Sequence, residues 1–234
     1  MKKIFITGGS GALGSVLVNH LKNNYNVLSP SSDKCNILDL EDLSFQINNF
    51  SPEIVIHLAA FVDTFGCEKN IHKAIDTNIM GTINLVKSTL NLKCKVVYIS
   101  SEYVFKGDKG NYSIKDKLDP INVYGKTKAS SEHIVSILNN HQIIRVPFIK
   151  KVYPKVFKNQ YCSRYFLDEI PEKIINNIIN NTNTIVHISS DRSSLLNKYK
   201  EKGYFPTPIN IPNEYKNLIP KDTSLIDNSI ENEK

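Results

Sequence analysis

Three residues in the middle of the chain carry the chemistry this sequence offers. Tyr124 and Lys128 stand four apart in Tyr124-Gly125-Lys126-Thr127-Lys128, so in a helix they share a face. An ammonium beside a phenol favours the phenolate and lowers the tyrosine pKa, which suits a tyrosine that exchanges a proton near neutral pH. Ser101 closes Val96-Val97-Tyr98-Ile99-Ser100-Ser101, an apolar run rich in β-branched residues that ends in two hydroxyls. From a strand end, its hydroxyl would reach the same substrate oxygen. Alone the set is weak, because Tyr and Lys four apart also occur as plain surface neighbours.

The N-terminus adds a second motif. Lys3-Ile4-Phe5-Ile6-Thr7 reads as a buried strand, Gly8-Gly9-Ser10-Gly11-Ala12-Leu13-Gly14 follows, and Val16, Leu17 and Leu21 then mark an amphipathic helix. Strand, glycine turn and helix in that order are the setting a dinucleotide fingerprint requires. Gly8 permits the tight turn, Gly11 lets the backbone approach a pyrophosphate, and Gly14 lets the helix pack close to the strand. The alternative is a glycine-rich turn with no nucleotide.

The elements that must position these residues alternate along the chain. Tyr25–Ser29 reads as the second strand, and a polar loop, Pro30–Lys34, leads through Asn36-Ile37 to a helix that Ser51-Pro52 ends. Glu53–Leu58 is the third strand and runs into Ala59-Ala60-Phe61. Ile71–Leu90 reads as one long helix with Ile75, Ile79, Ile83 and Val86 on one side. Lys95–Ser100 is the fourth strand, residues 120–138 form a helix begun at Asp119-Pro120, and Gln142–Val146 is the fifth strand. Repeated β-then-α units imply a doubly wound α/β fold, a Rossmann-like parallel sheet with right-handed crossovers. Near-continuous apolar strands fit burial on both faces. Ligands in such sheets sit beyond the strands' C-terminal ends, where Gly8, Ala59, Ser101 and the loop after strand five would converge.

Pro147 marks a change. Residues 1–147 read as the dinucleotide-binding domain and 148–234 as a small C-terminal lobe. That lobe is basic and irregular to Arg164, helical from Asp168 to Asn180, and extended over Thr184–Ser189, a late strand expected to return to the main sheet. Ser193–Lys202 is a short helix ending at Gly203, and Ser229–Lys234 reads as a disordered tail.

Composition narrows the function classes. In 234 residues, 41% hydrophobic and 22% charged describe an ordinary soluble chain long enough for a real core. Ile4-Phe5-Ile6 is too short for a signal-peptide core, and no stretch approaches membrane-spanning length. Cys35, Cys67, Cys94 and Cys162 show no metal spacing, so the expectation is no metal and reduced thiols in a cytoplasmic protein. The net charge of +6 is scattered, with no arginine cluster or basic-aromatic stripe, which argues against nucleic acid and fits a solvated basic surface.

Taken together, Thr7-Gly8-x-x-Gly11-x-x-Gly14, Ala59-Ala60, Asn78-Ile79-Met80-Gly81-Thr82, Ser101 and Tyr124-x-x-x-Lys128 resemble the extended short-chain dehydrogenase/reductase family. Within it, Ile99–Gly107, Asn122–Lys128 and Pro220–Leu225 are similar to segments of the dTDP-4-dehydrorhamnose reductases. The resemblance is strong over residues 1–147 and patchy afterwards. It implies that Gly8, Ser10, Gly11, Ala12 and Leu13 hold the pyrophosphate, that Asn36 and Ile37 flank the adenine, and that Ala59, Ala60 and Phe61 line the ribose and nicotinamide. Tyr124 would protonate a sugar keto oxygen as hydride arrives, Lys128 would hold the nicotinamide ribose and tune Tyr124, and Ser101 would orient the carbonyl. Glu102 stands where the subfamily usually has Asp and would contact the sugar or tune Tyr124. Asn78 would anchor a water in a proton relay; capping of local backbone is the other reading.

The implied activity is NAD(P)H-dependent reduction of a 4-keto-6-deoxy nucleotide sugar, as in deoxysugar and polysaccharide biosynthesis. Ser29-Pro30-Ser31-Ser32 with Lys34 nearby, in place of an acid ending strand two, favours NADPH while leaving NADH possible. Two rivals stand beside it. One is a 3,5-epimerase/4-reductase using Cys67; the other is a non-catalytic regulatory subunit that keeps the reductase fold, as in the β subunit of methionine adenosyltransferase. His57 reads as a packed core histidine, Arg145 as a support for the loop over the site, and Lys150, Lys151, Lys155 and Lys158 as a solvated loop. Related reductases place a longer helical excursion after strand five, so the substrate lobe here is shortened. Phe148, Val152, Tyr153, Val156 and Phe157 exceed what a solvated loop needs, so residues 148–166 are expected to contact a second copy in a homodimer.

Overall fold

The computed structural model describes residues 1–180, 182 and 184–229. Residues 230–234 of the expected disordered tail lie outside them. Six strands form one parallel sheet: β1 (Lys3–Thr7), β2 (Asn26–Leu28), β3 (Ile54–His57), β4 (Lys95–Ser100), β5 (His141–Arg145) and β10 (Ile185–His187). Their order is β10-β5-β4-β3-β1-β2, every neighbouring pair being parallel. Short strands β6 (Phe148–Ile149), β7 (Lys155–Phe157), β8 (Tyr161–Cys162) and β9 (Tyr165–Phe166) lie between β5 and β10 in the chain, and β11 (Ser193–Ser194) and β12 (Thr207–Ile209) after it.

Side chains on a strand alternate between faces, and here both faces are dry. Ile4, Ile6, Val97 and Ile99 face the layer of α1 (Ala12–Leu21) and α7 (Pro171–Asn180), with Leu17, Ile174 and Ile178. Phe5, Val96 and Tyr98 face the opposite layer, which includes α2 (Leu40–Phe50), with Leu43, Ile47 and Leu85. α3 (Thr64–Lys69) and α4 (Ile71–Ala74) precede a π-helical turn, Ile75–Met80, which runs on into α5 (Gly81–Thr89). α6 (Val123–Val135) follows β4, and α8 (Leu195–Glu201) lies in the C-terminal lobe.

The π turn corrects the expected face of the long helix. Ile75 is 41% exposed, while Ala74, Asn78, Thr82 and Leu85 are buried. An extra residue in one turn rotates what precedes it, so the isoleucine row slides outward and a partly polar row turns in. α6 begins three residues later than Asp119-Pro120 suggests. The Asn122 side chain accepts from Gly125 N at 2.7 Å, and Glu68 Oε1 accepts from Val123 N at 2.7 Å, so two orphan amides are capped there.

A smaller, separate core gathers Ile149, Val156, Cys162, Phe166, Leu195 and Tyr199. Phe148 packs instead on the main core. Of the apolar side chains that suggested an interface, Val156 is therefore used internally, and Val152 and Tyr153 are exposed.

Candidate active site

The glycine turn is built by steric necessity. Gly8 has φ +72°, and a Cβ there would lie 2.5 Å from Ala59 N. A Cβ on Gly14 would lie 2.2 Å from Gly8 O, so any side chain would push α1 off the turn. Gly11 N donates to Gly8 O at 3.0 Å. Gly11 is the N-cap of α1 and has no side chain to fill it, so the first amides of this helix stay open to an anion. Ser10, Gly11 and Ala12 are exposed, whereas the Leu13 side chain is in the core, leaving Leu13 only its backbone to offer. Ile37 lies against α5: its Cδ1 would meet a Cβ on Gly81 at 2.5 Å, and Asn84 Nδ2 donates to Ile37 O at 3.0 Å, while the Asn36 side chain accepts from Leu38 N at 3.0 Å.

Beside the turn, a cleft of about 280 Å³ is lined by Gly9, Ser10, Val18, Lys22, Val27, Ser29 and Ser31. One ammonium, three serine hydroxyls and no carboxylate line it, a set that suits a phosphate monoester. Lys22, rather than Lys34, supplies the charge. A second groove of about 460 Å³ runs between α1 and the lobe, past His20, Lys150 and Lys151, and contains none of the expected site residues.

Buried hydrogen bonds tie the loop after β3 to α6. Asn78 Oδ1 accepts from Phe61 N at 2.7 Å, and Nδ2 donates to Phe61 O at 3.1 Å and to Thr127 Oγ1 at 2.9 Å. The π turn leaves the Asn78 carbonyl to accept the hydroxyls of Thr82 at 2.6 Å and Ser131 at 2.7 Å. Asn78 is thus a clamp between distant segments, neither a local cap nor an open water site. His57 is a packed histidine: Nδ1 meets Thr7 Oγ1 at 2.7 Å, Nε2 meets Thr82 Oγ1 at 3.1 Å, and burial, then the nearby Lys128, pull its pKa down to about 3.

At the end of β4, Ser101 Oγ accepts from Tyr103 N at 3.2 Å. Ser101 Oγ also donates to Glu102 Oε2 at 2.8 Å, and the Glu102 carboxylate pairs with Arg164 Nη2 at 2.7 Å. The Tyr103 ring stands edge-on to Tyr124, with centroids 6.1 Å apart. Burial first, then the Glu102 charge, push the Tyr124 phenol well above its ordinary value. This reverses the direction expected from Tyr124 and Lys128 sharing a face. Lys128 is 3% exposed; its Nζ donates to Ile99 O at 2.7 Å and sits 4.0 Å from the Tyr98 ring centroid. Burial lowers it to about 7, opposed by Glu132. A buried ammonium takes the nearest carbonyl and ring face, and that draws it below the strand end instead of toward the phenol.

Arg145 turns inward rather than toward a loop over the site. Its guanidinium donates to Glu132 at 2.9 and 2.7 Å and reaches His187 Nε2 at 3.1 Å, pinning α6 and β10 to β5. Cys67 is fully buried, its Sγ donates to Phe61 O at 3.3 Å, and burial raises the thiol to about 11, so it offers no thiolate at neutral pH. All four cysteines are free and buried. Among the described residues no His/Cys/Asp/Glu cluster suits a metal ion, and no helix is long and apolar enough to cross a membrane.

The structure therefore brings Gly8, Ala59, Phe61, Ser101, Glu102 and Tyr124 to one end of the sheet, holds the loop residue Ile37 against α5, and buries Lys128 beneath. Sequence reasoning missed Arg164, Lys22 and Glu68. Arg164 sits in an irregular segment with no periodicity to read, whereas Lys22, one turn past Val18 on α1, could have been found by projecting that helix onto the end of β2.

A family model described as the RmlD substrate binding domain matches residues 1–166. The chain is 33% identical over 153 residues to the spore coat polysaccharide biosynthesis protein SpsK of Bacillus subtilis (strain 168), covering 64% of this chain and 54% of that protein. It is 30% identical over 157 residues to methionine adenosyltransferase 2 subunit beta of Danio rerio, 63% of this chain and 48% of that protein. It is 31% identical over 147 residues to the dTDP-4-dehydrorhamnose reductase of Aggregatibacter actinomycetemcomitans, 62% of this chain and 50% of that protein. These matches span about half the length of the curated relatives. Among solved structures, a dTDP-4-dehydrorhamnose reductase from Bacillus anthracis str. Ames in complex with NADP shares the fold, with a TM-score of 0.86 at 22% identity over 97% of this chain and 91% of that one.

Proposed function

The chain belongs to the RmlD substrate-binding-domain family, and on that premise we propose that it is a reductase of a 4-keto-6-deoxy nucleotide sugar that prefers NADPH and also accepts NADH. The observation that carries this reading is that Ser101, bonded to Tyr103 N, and Tyr124, edge-on to the Tyr103 ring, lie at the same end of the sheet as the Gly8–Ala59 contact. The residues fit the cofactor: a side-chain-free turn, open helix amides, and a lysine-serine cleft where a ribose phosphate would lie.

In this reading the amides of Ser10 to Leu13 hold the pyrophosphate, and Lys22, Ser29 and Ser31 hold the 2′-phosphate. Asn36 and Ile37 flank the adenine. Ala59, Ala60 and Phe61, fixed through the Asn78 clamp, line the nicotinamide side. The bound cofactor supplies the hydride. Tyr124 then gives its hydroxyl proton to the keto oxygen and Ser101 orients the carbonyl, while Glu102 meets the sugar edge only by releasing Ser101 or Arg164. Lys128 would serve the nicotinamide ribose by leaving the Ile99 carbonyl. A homodimer through residues 148–166 would use Val152 and Tyr153, and light scattering at micromolar concentration tests it against a Tyr153→Asp variant.

The test of activity is oxidation of NADPH by the purified chain with dTDP-4-dehydrorhamnose, followed by the loss of reduced-cofactor absorbance. No oxidation with this or other nucleotide 4-keto sugars, in a protein that still binds NADPH, would reject the reading. A second reading is favoured by the similarity to methionine adenosyltransferase 2 subunit beta: a regulatory subunit on the same fold. It requires a stable partner in pull-down together with absent turnover.

A further inference from the structure

In the reductase reading, the proton donor Tyr124 and Phe61, on the nicotinamide side, belong to separate elements, and two sets of hydrogen bonds join them. The first runs through the π turn. Asn78 Oδ1 accepts from Phe61 N at 2.7 Å, Asn78 Nδ2 donates to Thr127 Oγ1 at 2.9 Å, and Thr127 Oγ1 donates to the Tyr124 carbonyl at 2.8 Å. The second runs through α3. Cys67 Sγ donates to Phe61 O at 3.3 Å and Cys67 N to Asp63 O at 2.8 Å, so the segment from Phe61 to Cys67 closes on itself. Glu68, the next residue, reaches across to α6, where its Oε1 accepts from Val123 N at 2.7 Å. Val123 immediately precedes Tyr124. The backbone of the proton donor is therefore gripped on both sides, at its own carbonyl and at the amide of its predecessor.

Val123 N is the first amide of α6, one of the orphan donors at a helix start, and a carboxylate there also meets the positive end of the helix. The Asn122 side chain serves Gly125 N instead, at 2.7 Å. Gly125 is pressed on the turn after β4, where a Cβ would lie 2.1 Å from Tyr103 O. Such a contact resists closer approach; the Glu68 bond resists separation of α6 from α3. We propose that Glu68 is a positioning residue that holds Tyr124 at a fixed distance from the nicotinamide wall. Glu68 meets a backbone amide and carries no proton in the reaction. The proposal rests on the reductase reading, because a proton donor that must meet the oxygen of a carbonyl receiving hydride needs that distance fixed. A misplacement of about 1 Å from a change outside the chemistry can cost about 100-fold in rate.

Glu68→Ala removes the acceptor, and Glu68→Gln keeps one at the same reach. With NADPH and dTDP-4-dehydrorhamnose, Glu68→Ala should lower kcat by about tenfold or more, while KM and NADPH affinity stay within about threefold of the parent. Glu68→Gln should return kcat to within about threefold. A residue that only stabilised the fold would lower Tm without that split between kcat and KM. Should Glu68→Ala fail to fold, Glu68→Asp, whose carboxylate is one methylene short, should show the same fall in kcat. Amide hydrogen exchange at Val123 in the apo-protein reads the bond itself, and should be faster in Glu68→Ala and unmoved in Glu68→Gln. An unchanged kcat in Glu68→Ala, a loss in Glu68→Gln equal to that in Glu68→Ala, or an unmoved Val123 exchange overturns the proposal and leaves the reductase reading standing. A parent chain that binds NADPH and turns over no nucleotide 4-keto sugar removes the reductase reading and this proposal with it.

Discussion

Replacing Arg145 by methionine would leave one of the least tolerable groups in the protein, an ionised carboxylate with no partner in the core. Arg145 is 2% exposed and Glu132 3%, and the guanidinium is held by Glu132, by His187 and 5.1 Å from the Phe105 ring centroid. Breaking such a pair from one side costs about 3–5 kcal/mol, against a total stability of about 5–15 kcal/mol. For a chain of this length that is a fall in Tm of roughly 6–20 °C. Arg145→Met/Glu132→Gln, with no charge left unpaired, should recover most of the loss. Urea unfolding at constant m-value measures both quantities. A single-variant loss under about 1 kcal/mol, or a double variant no better than the single, would refute the assignment of this pair as the tie between α6 and β5.

Tyr124→Phe should retain NADPH affinity and lower turnover by at least ~100-fold, the scale of a general acid; turnover within a few-fold of the parent excludes Tyr124 as the donor. Lys22→Glu should weaken NADPH by about tenfold or more while NADH changes little, since one close charge meets only the 2′-phosphate; equal losses for both cofactors would place the phosphate elsewhere. Lys128 carries its charge below about pH 7 and sheds it above, so NADPH binding should weaken as pH rises through about 7. Lys128→Met should flatten that slope, and a slope equal to the parent's would show another group titrating.

What could be read directly from residue order is what depends on neighbours in the chain. The alternation of apolar strands with helices carries the parallel sheet, because a strand covered on both faces must be apolar throughout, as Ile4-Phe5-Ile6 and Val96–Ile99 are. The glycine turn was legible for a similar reason: Gly8 and Gly14 admit no side chain, and their spacing with a strand before and a helix after is itself local. The isoleucine face of the long helix was misread because one π turn, invisible in the residue pattern, shifts the phase of everything before it.

The electrostatics of the site belonged to the tertiary structure. Four-residue spacing puts Lys128 on the face of Tyr124, but where its ammonium points is decided by which buried acceptor lies nearest, and Ile99 O comes from β4, twenty-nine residues earlier. Arg164 is sixty-two residues from Glu102 in sequence, so no window along the chain could pair them. The charge pair exists only because β8 and β9 carry the segment between them back over the end of β4. Sequence specified which groups could exchange a proton; long-range packing decided which of them holds it.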